Sequence, residues 1–187
     1  MKRSGFTVFM SICAGFGVMA EPMLPSHSAR ALELRGSSYF TRPPWKVTLR
    51  SYHTTVSQPA AKYYFTVDLP LDAGAALGGL SIRQTRGVDT RFQFNPGRSR
   101  AFLGRPREEG PDVPVEVTFN ASERLLQAKF PEPVPPGSTL TLMVKPWANP
   151  AKADTYLFQV TALPAGPNPV GASLGVGTLR IYQSEWH

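Results

Sequence analysis

Cysteine is nearly absent from this chain: Cys13 is the only one in 187 residues. It sits in an uncharged N-terminal run, so the body of the chain has no disulfide, no thiol nucleophile and no thiolate metal site. Histidine is almost as scarce, with His53 and His187 the only two beyond residue 31. Structural zinc takes about four ligands and catalytic zinc about three, so this pair needs well-placed carboxylates to hold a metal. Copper sites of the histidine–methionine kind meet a single methionine past residue 31, Met143. No metal and no other cofactor is expected. No G-x-S-x-G elbow is present, and Ser51, Tyr52 and His53 read as a strand end rather than a triad. The glycines from Gly74 to Gly79 lack the lysine and the following helix of a phosphate loop. No segment keeps a helical apolar period, and none past the N-terminus is long and apolar enough for a membrane span of about 20 residues.

Proline and glycine are plentiful instead, at 19 and 16 residues, alongside 42% hydrophobic residues. That mixture points to many short strands joined by rigid turns and is too apolar for a disordered chain. The N-terminus reads as a secretory leader over residues 1–31. Lys2 and Arg3 precede an apolar stretch from Gly5 to Ala20, and Ala29-Arg30-Ala31 offers an A-x-A cleavage site. Val18-Met19-Ala20 is an earlier alternative. Cys13 follows Met-Ser-Ile, which lacks the small residue a lipoprotein signal needs just before its cysteine. About 155 residues then remain, enough for one core. Residues 32–44 read as an irregular lead-in and residues 45–187 as one domain.

Within that domain the apolar period is two. Trp45 to Tyr52 alternates Trp45, Val47 and Leu49 against Lys46, Thr48 and Arg50. Tyr63, Phe65, Val67 and Leu69 keep one phase. The stretch from Pro133 to Gly166 is the clearest. Pro135-Pro136-Gly137 is a turn, Leu140, Leu142 and Val144 form one face of a strand, and Pro146 ends its ladder. Trp147 to Ala153 is a loop carrying the turn-initiating pair Asn149-Pro150, and Tyr156, Phe158, Val160 and Ala162 line a second strand. A hairpin with a long connection is the simplest reading of this stretch. Shorter strands are expected over 80–84, 91–94, 101–103, 113–119, 125–130 and 178–182. About ten strands with close turns and no helix predict an all-β fold. It is a single β-sandwich of immunoglobulin-like architecture, with a barrel as the alternative.

The motifs PPGSTLTLMVKPWANP and YLFQVTALPAG, with Tyr63 to Val67, Leu69-Pro70, Ala73-Gly74, Gly87-Val88-Asp89 and Ala101-Phe102 upstream, resemble a known family. It is a cyanobacterial family of exported proteins catalogued as a domain of unknown function (number two thousand eight hundred and eight). The resemblance covers about residues 45 to 182. It rests on turns and strand cores, so it implies a family and an exported address but no catalytic or binding residue.

Charge supplies the remaining signal. Beyond residue 31 the chain has 17 Lys and Arg against 12 Asp and Glu. Arg83, Arg86, Arg91, Arg98, Arg100, Arg105 and Arg107 fall within 25 residues, with Asp89 the one acid among them. A guanidinium fork suits carboxylate, sulfate or phosphate, which nominates Arg98, Arg100, Arg105 and Arg107 as ligand-binding residues. The bland reading of the same run is solvated charge on loops and sheet edges, where it blocks edge pairing. Nucleic acid is not an expected partner, because no recognised motif accompanies the charge. Glu108, Glu109 and Asp112 offer paired carboxylates for glycoside chemistry, although carboxylates in such a loop more often pair with arginines. Among the loop aromatics, Trp147, set between Pro146 and Pro150, is nominated as an exposed platform.

These features predict a non-enzymatic exported module of the periplasm, cell envelope or extracellular space. Its partner would be an acidic glycan, a lipid headgroup or an envelope protein. The alternatives are an envelope carbohydrate-active enzyme and a structural subunit assembling through β-edges.

Overall fold

The computed structural model describes residues 32–34 and 36–184. The leader assigned to residues 1–31, with both cleavage options, lies outside them, as do Trp186 and His187. The described residues hold twelve strands and no helix, so no helix is long and apolar enough to cross a membrane. β1 (Leu32–Leu34) and β2 (Ser37–Tyr39) pair as a small hairpin within the expected lead-in. The other strands form two antiparallel five-stranded sheets. The first runs β3 (Val47–Arg50), β4 (Tyr63–Asp68), β10 (Thr139–Pro146), β6 (Phe94–Arg105), β7 (Glu108–Val113). The second runs β12 (Ala172–Ile181), β11 (Asp154–Pro164), β5 (Leu77–Arg86), β9 (Leu125–Val134), β8 (Glu116–Asn120). The sheets stack as an open, immunoglobulin-like sandwich rather than closing into a barrel.

The alternating phases place the core. Tyr63, Phe65 and Val67 of β4 and Leu140, Leu142 and Val144 of β10 point inward from the first sheet. Tyr156, Phe158, Val160 and Ala162 of β11 oppose them from the second. Aromatic edges stitch the layers together: Phe94 of β6 meets Phe119 at 5.3 Å and Phe158 at 6.4 Å between ring centroids. Each such ring taken fully out of water contributes roughly 1.5–3 kcal/mol.

The expected hairpin between β10 and β11 does not form. β10 is the middle strand of the first sheet, between β4 and β6, while β11 lies between β12 and β5 in the second. Both strands have one strongly apolar face. An opposing layer must cover that face, and in opposite sheets the two strands cover each other. Residues 147–153 therefore cross the end of the sandwich. The residues expected as separate strands at 91–94 and 101–103 fall around one long β6, interrupted by a bulge between Asn95 and Arg100. The glutamates read as loop pair back on β6 within β7, and the strand expected over 113–119 is divided between β7 and β8 in opposite sheets.

Candidate binding surface

Three connections meet at the end of the sandwich that residues 147–153 cross: 51–62 after β3, 87–93 after β5, and 147–153 itself. Asn149 ties the first to the last. It is only 3% exposed, and its side chain makes three hydrogen bonds. Asn149 Oδ1 accepts from the Tyr63 hydroxyl at 2.8 Å, and Nδ2 donates to the carbonyls of His53 at 3.0 Å and Thr55 at 2.8 Å. Its backbone N–H donates to Gln58 O at 3.0 Å. Burial pushes the Tyr63 phenol far above its ordinary range, with Tyr156 adding to the effect, so its O–H remains a donor. Asp89 ties in the remaining connection. Its carboxylate accepts from Ala151 N–H at 2.8 Å and from Arg91 N–H at 3.0 Å. Partial burial pushes that carboxyl up. The backbone donors of Ala151, Arg91 and Phe92, helped by the Arg91 charge, outweigh burial and hold it below the usual carboxylate range. The loops are thus fixed in advance of any ligand, which lowers the ordering cost of binding.

The Trp147 side chain stands on this frame, 65% exposed. It flanks a groove of about 750 Å³ whose walls include Val88, Asp89, Arg91 and Lys152. Three further cations lie toward the same end, on the outer face of the first sheet. Lys62 precedes β4, Lys145 closes β10, and Arg98 projects from the β6 bulge. The Lys145 ammonium donates to the carbonyls of Pro59 and, at 3.0 Å, Ala61. Burial first, then the charges of Lys62 and Arg98, pull its pKa below the usual lysine value. Among the described residues, no carboxylate lies within 4.0 Å of Lys62, Arg98 or Lys145.

The other nominated arginines have partners inside the molecule. Arg100 is held by Glu109 and, at 3.0 Å, by Asp112, and its guanidinium lies 5.0 Å from the Phe102 ring centroid. Two of the carboxylates considered for glycoside chemistry therefore converge on an arginine. Arg105 donates to both oxygens of Asp68, at 2.8 and 2.9 Å, and Arg107 stacks over Tyr52 at 4.3 Å. These contacts hold the β6–β7 turn against the outer sheet face, where Thr141 Oγ1 also donates to Gly104 O at 2.7 Å. That cover explains a second small cluster, Tyr64, Phe102 and Met143, buried on what would otherwise be a solvated face. Arg83 and Arg86 belong to β5 in the opposite sheet.

Of the five nominated residues, Arg98 and Trp147 share the loop end, Arg100 and Arg105 lie along the adjoining sheet face, and Arg107 reaches back to Tyr52 of the 51–62 connection. Sequence reasoning missed Lys62, Lys145 and the joining role of Asn149. The alternation does send the two lysines outward, since Lys145 keeps phase with Thr141 and Met143 while Lys62 is out of phase with Tyr63. Nothing local shows that β4 and β10 are neighbours.

No curated protein sequence matches this chain. Among solved structures, it is similar to the C-terminal domain of the Streptococcus pyogenes antigen I/II-family protein AspA, with 14% identity, TM-score 0.47, and coverage of 73% of this chain and 46% of that one. BcpA, the major pilin subunit of Bacillus cereus, gives 12% identity, TM-score 0.47, and coverage of 73% and 39%. The collagen-binding domain of a Staphylococcus aureus adhesin gives 4% identity, TM-score 0.40, and coverage of 73% and 96%. The chain spans less than half the length of the AspA and BcpA chains, and all three likenesses are of fold alone. Residues 37–181 match the family described as "Protein of unknown function (DUF2808)", and the chain belongs to that family.

Proposed function

We propose that this protein is an exported, non-enzymatic module of the cell envelope that binds an acidic glycan at the Trp147 end. One observation carries the reading: Lys62, Arg98 and Lys145, with no carboxylate partner among the described residues, share a prefixed loop end with an exposed indole beside a groove. Sugar rings stack on indole faces, and ammonium and guanidinium groups supply the attraction for acidic substituents. The groove that Trp147 helps to line, about 750 Å³, offers room for a sugar ring and favours a glycan over a lipid surface. Export is supported by the leader pattern of residues 1–31.

Affinity electrophoresis in gels containing dextran sulfate or neutral dextran tests this directly. Retardation is expected in dextran sulfate alone, weakening with salt. Trp147→Ala should cost about tenfold in affinity without changing net charge, about 1.4 kcal/mol. Equal mobility in both gels, or a Trp147→Ala protein that binds like the parent, rejects the proposal.

A further inference from the structure

A second, smaller recess lies on the outer sheet face beside the groove. It has a volume of about 130 Å³ and is lined by Tyr52, His53, Ala60, Lys62 and Tyr64. That is the space of about four waters at roughly 30 Å³ each, room for one tetrahedral oxyanion. Its walls are fixed. The rings of Tyr52 and Tyr64 meet edge to face, 5.7 Å apart at 63°, and the Arg107 guanidinium lies over Tyr52. Burial pushes the Tyr64 phenol up. The charge of Glu109 and the neighbouring Tyr52 add to this while Arg100 opposes it, so Tyr64 keeps its proton and remains an O–H donor at neutral pH. Glu109, the acid whose charge reaches Tyr64, is already bound to Arg100. Behind the recess, the backbone of Pro59 and Ala61 holds the Lys145 ammonium, which feels the charges of Lys62 and Arg98. Two tyrosines, a histidine and Lys62 lining an anion-sized space, with Arg107 over the Tyr52 ring, make a chemically specific combination.

We infer that this recess takes a single tetrahedral oxyanion, a phosphate or sulfate group, with Lys62 as its principal cation and Tyr52 and Tyr64 as donors. The inference rests on the proposed function only for where that group comes from, a substituent on the acidic glycan. The chemistry of the recess calls for the oxyanion whether it arrives on a sugar or as a free ion.

The test is an NMR titration of the purified protein with sodium sulfate and sodium phosphate at constant ionic strength, with chloride as the control. Saturable amide shifts centred on His53, Lys62 and Tyr64 are expected with sulfate or phosphate and not with chloride. Lys62→Gln should weaken them at least tenfold and Tyr52→Phe about threefold, while Lys129→Gln, on the opposite sheet, leaves them unchanged. Linear shifts equal to those in chloride, or a Lys62→Gln protein that titrates within twofold of the parent, overturn the inference. The two readings separate cleanly. Saturable sulfate shifts without retention by dextran sulfate keep the recess and reject the glycan as its source. Retention that depends on Trp147 without saturable shifts keeps the glycan and rejects the recess.

Discussion

The two ends of the sandwich are closed by different means. At the end holding Gly137, backbone hydrogen bonds do most of the joining, with Asp68 and Asp72 adding exposed contacts to Thr139, Arg105 and Arg42. Gly137 N–H donates to Leu69 O at 3.0 Å, Leu69 N–H to Ser138 O at 2.9 Å, and Ala165 N–H to Ala76 O at 2.8 Å. Prolines and positive-φ glycines set the conformations these bonds need, Gly137 among them at φ +81°. At the Trp147 end, side chains share the joining with backbone bonds such as Trp147 N–H to Gln93 O, and Asn149 and Asp89 reach across connections far apart in the chain. The backbone bonds at the Gly137 end also link distant connections, Gly137 to Leu69 and Ala165 to Ala76, but they leave the side chains out of the joining. A side-chain-closed end fixes three separate loops against one another and leaves their outer faces free to carry Trp147 and cations. Preorganised exposure of this kind is what a binding surface requires.

Substitution at the two closures measures the difference. Asn149→Leu strands the buried Tyr63 hydroxyl and the part-buried carbonyls of His53 and Thr55. Each unsatisfied buried group costs about 1–3 kcal/mol, and the joint loss should be about 3 kcal/mol or more. Gly137→Ala forces an L residue into the left-handed region at about 1–2 kcal/mol. The added Cβ would meet Leu71 Cδ1 at 3.0 Å, and that exposed side chain can swing aside, so the backbone sets the cost. Urea unfolding of both variants checks the ranking. A Gly137→Ala protein less stable than Asn149→Leu would mean that the backbone-closed end, and not the hub, holds the sandwich together.

The same contrast decides what was legible in the sequence. Pro135-Pro136-Gly137 announces its turn because proline fixes its own φ and glycine readily takes the positive φ the turn needs. The inward phases of β4, β10 and β11 are local too, and each appears where alternation puts it. The Asn149-Pro150 pair reads only as a turn, since Tyr63, His53 and Thr55 lie 86 to 96 residues away. The β10–β11 crossover was hidden for a related reason. Alternation shows that a strand has a buried face, but not which sheet covers it. The arginines of 83–107 look like one basic segment until strand pairing intervenes. It brings Glu109 and Asp112 to Arg100, brings Asp68 to Arg105, and sends Arg83 and Arg86 to the other sheet.

Acid should loosen the Trp147 end in a way that depends on Asp89. Its carboxyl is held below the usual range in the folded protein, so its contribution is complete above the unfolded value of about 3.9 and fades as pH falls through the folded one. Thermal unfolding at pH 7 should show Asp89→Asn less stable than the parent, with the gap closing below about pH 4. Hydrogen exchange should place the loss in 87–93 and 147–153. A gap that is constant with pH would assign the effect to packing and remove the carboxylate from the account of this end.

The smallest effects separate arginines that the sequence groups together. Arg105→Ser gives up an exposed ion pair with Asp68, worth about 0.2–1 kcal/mol, and should leave dextran sulfate binding as it was, because Arg105 lies toward the Gly137 end. Arg98→Ser gives up no ion pair among the described residues. Its stability should stay within about 0.5 kcal/mol of the parent, while its retardation in dextran sulfate falls and the salt dependence flattens. Urea midpoints and affinity gels on the same two proteins read both quantities. If Arg105→Ser weakened binding as much as Arg98→Ser, the attraction would belong to net charge at large and not to the end that Asn149 assembles.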